Sequence, residues 1–235
     1  MAQRYGPKVI TDGLIRCYDS AKIIGLSGSS WHDLTGNENI TLSGSPSTST
    51  YNGVPIMHFE KDSNQYATFT NNPVNGLSAC TFEFWVRFES VQGSTATPYY
   101  QLIVFETSVW IAQYAGKIGI DLSDGGWFDG NGGTSTGAQV DDGGSNITTG
   151  KWYNPCFAWG STTVSCYMNG VHQRSRTTSG VSTLANGGTP RELGRRGGSS
   201  TQFDGDHAIT RIYNRQLSAD EILQNHNACK GRFGL

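Results

Sequence analysis

Acidic residues beside a glycine are the first candidates for chemistry in this sequence. Asp204 and Asp206 flank Gly205. Carboxylates and the carbonyl groups of a turn are the ligands that Ca²⁺ prefers, so this pair predicts a Ca²⁺ site. Asp and Gly are also ordinary turn formers, and no EF-hand spacing surrounds them. A turn without a metal is therefore the alternative.

A long glycine-rich stretch, residues 123–150, is the second candidate. Loops of this length in a compact domain are often functional. Its adjacent Trp127 and Phe128 could offer an aromatic platform, and the aspartates beside them a polar rim, to a sugar or a protein. The alternatives are a loop folded back over a sheet and an anchor for a neighbouring subunit. The predicted glycan or partner contacts are Trp85, Asp124, Trp127, Phe128 and Asp129.

Catalysis has weaker support. The two carboxylates of a retaining glycanase lie about 5–5.5 Å apart. Glu83 and Glu89 share one face of a predicted strand, but they are six positions apart, too far on a strand that rises about 3.4 Å per residue. The pattern favours solvated charges beside Trp85. The five histidines are isolated from one another, so we predict a protein that is not an enzyme.

The composition argues against several kinds of partner. The chain has 17 Lys and Arg against 19 Asp and Glu, a net charge of -2, which gives nucleic acid and anionic membranes no electrostatic attraction. The N-terminus is polar, and no stretch is apolar enough to cross a bilayer. We therefore expect no signal peptide and synthesis in a cytoplasm.

The five cysteines include no C-x-x-C pair, so a zinc finger or a thioredoxin-type site is not predicted. Free buried thiols are expected in a reducing compartment. Cys156 and Cys166 flank a predicted hairpin turn. A disulfide between them is the alternative, although direct cross-strand bridges are geometrically awkward.

The positioning elements are mostly strands. Residues 82–88 are the clearest, because Phe82, Phe84, Val86 and Phe88 alternate onto one face. Each of these side chains contributes about 1.5–3 kcal/mol when fully buried. Residues 43–52 predict a loop. About a dozen such short strands in residues 1–235 predict a single all-β domain, a two-sheet antiparallel jelly-roll sandwich.

One helix is predicted near the C-terminus. Ser218 is a suitable N-cap, and Glu221 three residues later completes a capping box. Leu217 and Ile222 flank the cap and can form a hydrophobic staple. A short strand is predicted just before it, at residues 208–213. In a chain of strands, this short helix is expected to brace a sheet.

Several motifs, in order, resemble the laminin-G-like, concanavalin A-like modules of tailed-phage virion proteins of the marine or cyanophage type. W-H-D-L-T-G-N at residues 31–37 is similar to the W-x-D-L-S-G-N element of that family, and R-I-Y-N-R-Q-L-S at residues 211–218 to its ending. The chain departs from the family at N-P-C, residues 154–156. The matching segments are residues 6–19, 31–39, 81–86, 150–153, 167–171 and 203–222.

This resemblance implies a non-enzymatic phage virion structural protein, made in the host cytoplasm and present as a homo-oligomer or in multiple copies per particle. One expectation is a capsid decoration or tail/neck accessory protein held by other virion proteins. The alternative is an adhesin that binds host surface glycans. The sequence has no coiled-coil stalk or collagen-like repeat of the kind a free-standing fibre needs, which favours decoration. Apart from the predicted Ca²⁺, no cofactor is expected.

Overall fold

A computed structural model describes residues 7–22, 29–92, 99–106, 108–122, 139–160, 162–178, 181–184, 188–197 and 202–235. Within these ranges the chain forms two antiparallel sheets and one α-helix, α1 (Ala219–Cys229). The predicted all-β sandwich with one C-terminal helix is confirmed. No helix in these ranges is both long and apolar enough to cross a membrane.

Sheet A carries α1 on its outer face, the face turned away from sheet B. It has nine strands in the described part of the chain. From one edge to the other the order is β15 (Val171–Thr177), β14 (Thr163–Met168), β13 (Pro155–Gly160), β7 (Ala79–Phe88), β17 (Gly205–Tyr213), β5 (Val54–Phe59) and β4 (Ser47–Tyr51), while β1 (Leu14–Asp19) pairs with β17 and β12 (Trp152–Tyr153) pairs with β7.

Sheet B closes the sandwich with eight strands among the described residues. Their order is β11 (Gln139–Val140), β10 (Lys117–Asp121), β9 (Val109–Tyr114), β8 (Tyr100–Phe105), β16 (Arg191–Leu193), β6 (Tyr66–Thr68), β3 (Ile40–Ser43) and β2 (Ser30–Trp31). Short 3-10 turns follow β1, β5 and α1, at Ser20–Lys22, Lys61–Ser63 and Lys230–Arg232.

The core lies between the sheets, as the alternation in β7 predicts. The four alternating apolar residues of β7 are all fully buried. Phe105 of β8 meets Phe82 across the sandwich at 6.4 Å and Phe69, beside it on sheet B, at 5.0 Å between ring centroids. Aromatic pairs in such tilted and edge-on arrangements add to the free energy of burial.

The other face of β7 is buried too, which the sequence did not predict. Glu83 lies under α1, where Nη1 of Arg211 donates to its Oε1 at 2.9 Å and Nδ2 of Asn225 donates to its Oε2 at 2.9 Å. Burial alone would lower the pKa of Arg211, but the carboxylate of Glu83, together with smaller effects of neighbouring groups, raises that pKa well above its usual value. The expected solvated charge is instead a buried ion pair.

Trp85 corrects a second prediction. Its side chain is 0% exposed, stacked on His226 at 5.3 Å and on Phe233 at 4.4 Å between centroids. The helix and the C-terminal residues cover it, so the prediction that Trp85 contacts a glycan or a partner is wrong. Its role is to pack the C-terminal region onto sheet A.

The start of α1 is as predicted. The hydroxyl of Ser218 accepts a hydrogen bond from the backbone N–H of Glu221, whose carboxylate accepts from the backbone N–H of Ser218. Arg215 donates twice to the same carboxylate, at 2.7 and 2.9 Å. The hydrogen bonds from Arg215, against a smaller effect of burial, lower the pKa of Glu221 to about 2. Leu217 and Ile222 pack in one cluster.

Two strand predictions need correction. Residues 43–52 include β4, an exposed Ser- and Thr-rich strand that lies at the edge of sheet A. The predicted short strand at 208–213 begins three residues earlier, at Gly205, and every residue of β17 is buried. Asp206 and His207 look like loop residues, yet β5 and β7 pair with them on both sides.

The cysteines are free and buried, as expected. Cys156 pairs with Tyr167 in the β13–β14 register, and Cys166 pairs with Phe157. Successive side chains of a strand point to opposite faces, so the two thiols lie on opposite faces of sheet A. This register excludes the alternative disulfide.

Replacing Glu83 by Ala should reveal how much the buried ion pair matters. The substitution leaves the buried guanidinium of Arg211 without its carboxylate, a loss that typically costs about 3–5 kcal/mol. Urea denaturation should show this decrease in the free energy of unfolding. The control Ser218→Ala removes only the helix cap and should cost about 1 kcal/mol. Equal losses in the two variants would contradict the assignment.

His207 is a second buried polar residue on the core side of β17. Its ring lies against Phe203, Phe59 and Phe84, with centroids 4.4, 5.8 and 6.3 Å away. Neither ring nitrogen has a hydrogen-bond partner among the described residues. Burial lowers the pKa of His207 from 6.5 to about 3, so the folded protein holds the imidazole neutral.

His207 should therefore make the fold sensitive to mild acid. Between pH 6.5 and about 3 the imidazole of His207 is protonated in the unfolded chain but not in the folded chain. The free energy of unfolding therefore decreases as the pH drops through this range, by at most about 1.4 kcal/mol per pH unit. His207→Leu should flatten this dependence in urea midpoints measured between pH 7 and 4. Parallel curves for the two proteins would refute the role of His207.

Candidate functional site

A row of polar side chains crosses the outer face of sheet A beyond the area that α1 covers. In the strand register, His58 of β5 and Arg87 of β7 are the two neighbours of Asp206 in β17. Arg87 lies two residues after Trp85 and therefore on the same face. Three adjacent strands thus place an imidazole, a carboxylate and a guanidinium side by side.

Asp206 is the centre of this row and is fully buried. Its Oδ1 lies 3.0 Å from Nδ1 of His58, and its Oδ2 accepts a hydrogen bond of 2.7 Å from Nε of Arg87. The guanidinium of Arg87 lies over the rings of Tyr51 and Trp152, at 5.1 and 5.7 Å from their centroids. The carboxylate is therefore held in a fixed position between two partners.

Two glutamates extend the site by one step along the strands. Glu60 and Glu89 directly follow the ends of β5 and β7, where the backbone of Glu60 is still extended and the backbone N–H of Glu89 donates to the carbonyl of Asp204. One ligand atom from each of His58, Glu60 and Glu89 lies within 4.8 Å of the other two. Among the described residues, this is the one group of three such side chains that could hold a metal ion.

Asp204 is held by a separate set of contacts. Nζ of Lys61 donates to its Oδ2 at 3.1 Å, Ser90 donates to the same oxygen, and the backbone N–H of Lys61 lies 3.4 Å from Oδ1. Burial alone would raise the pKa of Asp204, but the hydrogen bonds from Ser90 and Lys61 hold it below its usual value. Asp204 therefore remains an anion paired with a lysine.

These contacts bear on the predicted Ca²⁺ ligands. Both oxygens of Asp204 and both oxygens of Asp206 already have partners within the protein. A Ca²⁺ ion at the D-G-D spacing would compete with these partners, and the Ca²⁺ site stays a prediction. His58, Glu60 and Glu89 were not predicted from the sequence. The signal that could have revealed two of them is the H-x-E spacing, which puts both side chains on one face of a strand.

A different polar surface lies on the outer face of sheet B. The guanidinium of Arg195 lies 3.3 Å from the ring centroid of Tyr66 and donates to both oxygens of Glu192, at 2.7 and 3.2 Å. A guanidinium that stacks on a ring and pairs with a carboxylate at the same time is fixed in a plane. Glu192 is buried, whereas Tyr66 is half-buried.

A second arginine, beside Arg195, is likewise stacked on an aromatic ring and paired with a carboxylate. The guanidinium of Arg196 lies 3.4 Å from the ring centroid of Trp110 and donates to both oxygens of Glu106, each at 3.0 Å. Val104 pairs with both Trp110 and Glu192, which places the two groups in one row across β9, β8 and β16. We call these six residues the arginine–aromatic face; they are Tyr66, Glu106, Trp110, Glu192, Arg195 and Arg196.

The remaining predicted contacts lie outside the described residues. These are Asp124, Trp127, Phe128 and Asp129. The segment that carries them connects β10 to β11, which pair with each other through Ile118 and Val140. The described residues on either side of this segment therefore lie at the same edge of sheet B.

The sequence matches one protein-family model over residues 61–223, more than half of the chain. The model describes the concanavalin A-like lectin/glucanases superfamily, in its Laminin_G_3 form. The chain therefore belongs to this family, and its fold is of a type found in binding domains. A comparison with curated protein sequences gave no match.

Several solved structures share the fold. Domain 4 of AbnA, an extracellular arabinanase from Geobacillus stearothermophilus in complex with arabinotriose, is 20% identical, with a TM-score of 0.63 over 91% of this chain and 98% of that one. A botulinum neurotoxin type C structure, whose description names two ganglioside molecules, is 12% identical, with a TM-score of 0.65 over 92% of this chain. A mutant sialidase of Trypanosoma rangeli is 12% identical, with a TM-score of 0.61 over 97% of this chain.

The extent of these matches limits what they mean. This chain covers 51% of the neurotoxin chain and 34% of the sialidase chain. At these identities the likeness shows the fold alone. The same fold therefore occurs in proteins that bind sugars and in chains that include an enzyme, and the fold by itself does not choose between them.

Proposed function

We propose that this chain is a non-enzymatic, lectin-like module that binds glycans through the outer face of sheet B. The observation that carries this proposal is the arginine–aromatic face. On sheet A the corresponding area is packed under α1, with Trp85 fully buried. On sheet B, by contrast, the rings of Tyr66 and Trp110 reach the surface in part.

The chemistry of this face suits a sugar. Each guanidinium occupies one face of its aromatic ring, so each ring and its guanidinium together offer a surface of fixed orientation against which the apolar side of a pyranose or furanose ring can pack. Arginine and glutamate provide planar donors and acceptors for hydroxyl groups. Because each guanidinium is already held by a carboxylate and a ring, little side-chain entropy is lost when a ligand binds.

The comparisons support the same class of ligand. One of the similar structures holds arabinotriose, and another is described with ganglioside molecules. The segment with Trp127 and Phe128 adds two more aromatic residues, and it connects two neighbouring strands of sheet B. We therefore retain Trp127 as the predicted principal contact and add Trp110 of the arginine–aromatic face.

Glycan arrays probed with the purified chain should show binding to a defined set of glycans. Trp110→Ala and Trp127→Ala should each weaken that binding by at least about tenfold, as expected for an aromatic hot spot. Leu223→Ala is the matched control, because Leu223 is an exposed apolar residue on α1. Hydrolysis of a bound polysaccharide, abolished by Glu60→Gln, would contradict the non-enzymatic part of the proposal.

A second proposal concerns where the module works. The ordered motifs of residues 6–222 resemble modules of tailed-phage virion proteins, so we propose that this chain is a virion component. It would act as a capsid decoration or tail/neck accessory protein held by other virion proteins, or as an adhesin that presents the glycan-binding face to the host.

The position of the protein in an intact particle distinguishes these roles. Cryo-electron microscopy should find several copies on the virion, and purified protein should rebind to particles from which it has been stripped. Rebinding without any glycan binding would identify decoration as its role. If intact particles of the phage that encodes the chain contain no copy of it, the virion proposal fails while the glycan proposal stands.

A further inference from the structure

We propose that His58, Glu60 and Glu89 form a binding site for a divalent transition-metal ion, with Zn²⁺ as the expected ion. His58 lies in β5, and Glu60 and Glu89 directly follow the ends of β5 and β7, the two strands that flank the start of β17. The backbone of Glu60 is extended, and the backbone N–H of Glu89 donates to the carbonyl of Asp204, so both residues continue the direction of their strands. The site is thus set by strand register.

The distances are close to those that a bound ion needs. Ligand atoms about 2.0–2.2 Å from a tetrahedral ion lie about 3.3–3.6 Å from one another. One ligand atom from each of the three residues lies within 4.8 Å of the other two, so a movement of about 1 Å would bring them to this spacing. Half of the Glu89 side chain is exposed, so a rotamer change can bring its carboxylate closer to the imidazole of His58.

Asp206 supplies the support behind the histidine. Metal-binding histidines almost always have a carboxylate or carbonyl partner that fixes the orientation of the ring. The fully buried carboxylate of Asp206 lies 3.0 Å from Nδ1 of His58 and is itself held by Arg87, so Nε2 is the ring nitrogen left for the ion. Asp206 is therefore a positioning residue, and its pairing with Arg87 explains why a charged group is retained in a buried position.

The local charge favours a dication. The carboxylates of Glu60, Glu89 and Asp206 face one guanidinium, that of Arg87, which leaves a charge of -2 around the imidazole of His58. The nearby Lys61 is paired with Asp204 and cancels that carboxylate. A cation of charge +2 neutralises the remaining excess, and bound ions of this kind are often the largest charges in a site.

The donor set selects the class of ion. Ca²⁺ and Mg²⁺ take oxygen ligands, whereas imidazole suits Zn²⁺ and its transition-metal neighbours. Three protein ligands leave a fourth position for water or for a ligand atom. Because Glu89 is exposed, this fourth position faces solvent.

Isothermal titration of the EDTA-treated full chain with Zn²⁺ alone tests the site. We expect one ion per chain, with affinity reduced at least about tenfold in His58→Ala and Glu89→Gln. Asp206→Asn should cost about 10–100-fold, as is typical for partners behind a ligand. The matched control is His172→Ala, an exposed histidine on β15 that pairs with Ser175, and it should bind Zn²⁺ like the unmodified protein.

Thermal unfolding provides a second readout, because an ion that binds only the folded state raises its stability. Zn²⁺ should raise the melting temperature of the unmodified protein and of His172→Ala, but not that of Glu89→Gln, whose exposed side chain is not needed for folding. If His58→Ala bound Zn²⁺ as tightly as the unmodified protein, the ion would have to bind at another site, and the proposal would be wrong. Tighter binding of Ca²⁺ than of Zn²⁺, or no Zn²⁺ binding, would overturn it as well.

Discussion

The ion pair between Glu83 and Arg211 lies almost entirely out of water, and charges in such a place are stable only while each keeps its partner. The pair joins β7 to β17, the two central strands of sheet A. Asn225 brings α1 to the same carboxylate. The packing of the rest of the outer face of sheet A depends on this contact, because the helix that it holds leads into the C-terminal residues that bury Trp85.

The helix α1 and the C-terminal residues cover the middle of the outer face of sheet A, which leaves the two candidate sites in separate regions of the protein. The middle of that face becomes a second small core of apolar residues under the C-terminus. Its far end, where β5, β17 and β7 meet the polar row of His58, Asp206 and Arg87, keeps ionisable groups in fixed positions. The outer face of sheet B keeps aromatic rings that guanidinium groups cover. The two candidate sites are therefore separate in place and in chemistry.

Family membership establishes the fold of this protein, whereas the side chains of its sites determine what it binds. The concanavalin A-like fold follows from the match over residues 61–223 and from the two-sheet topology. The same fold occurs in a domain that holds arabinotriose and in a chain that includes a sialidase. What a member of the family binds depends on the side chains that its strands present, here Tyr66 and Trp110 on one sheet and His58 with two glutamates on the other.

The sequence by itself determined the local structure: the alternation of Phe82 to Phe88, the capping box of Ser218 and Glu221, and the sandwich that many short strands imply. These features depend on neighbours along the chain, and pleat or helix geometry makes them visible in one dimension. Only the tertiary structure decided that Glu83 and Trp85 are buried, because the helix that covers them lies more than 130 positions later. It also decided that Asp206 supports His58, 148 positions away. Such contacts arise from strand register across a sheet, which no spacing within one strand records.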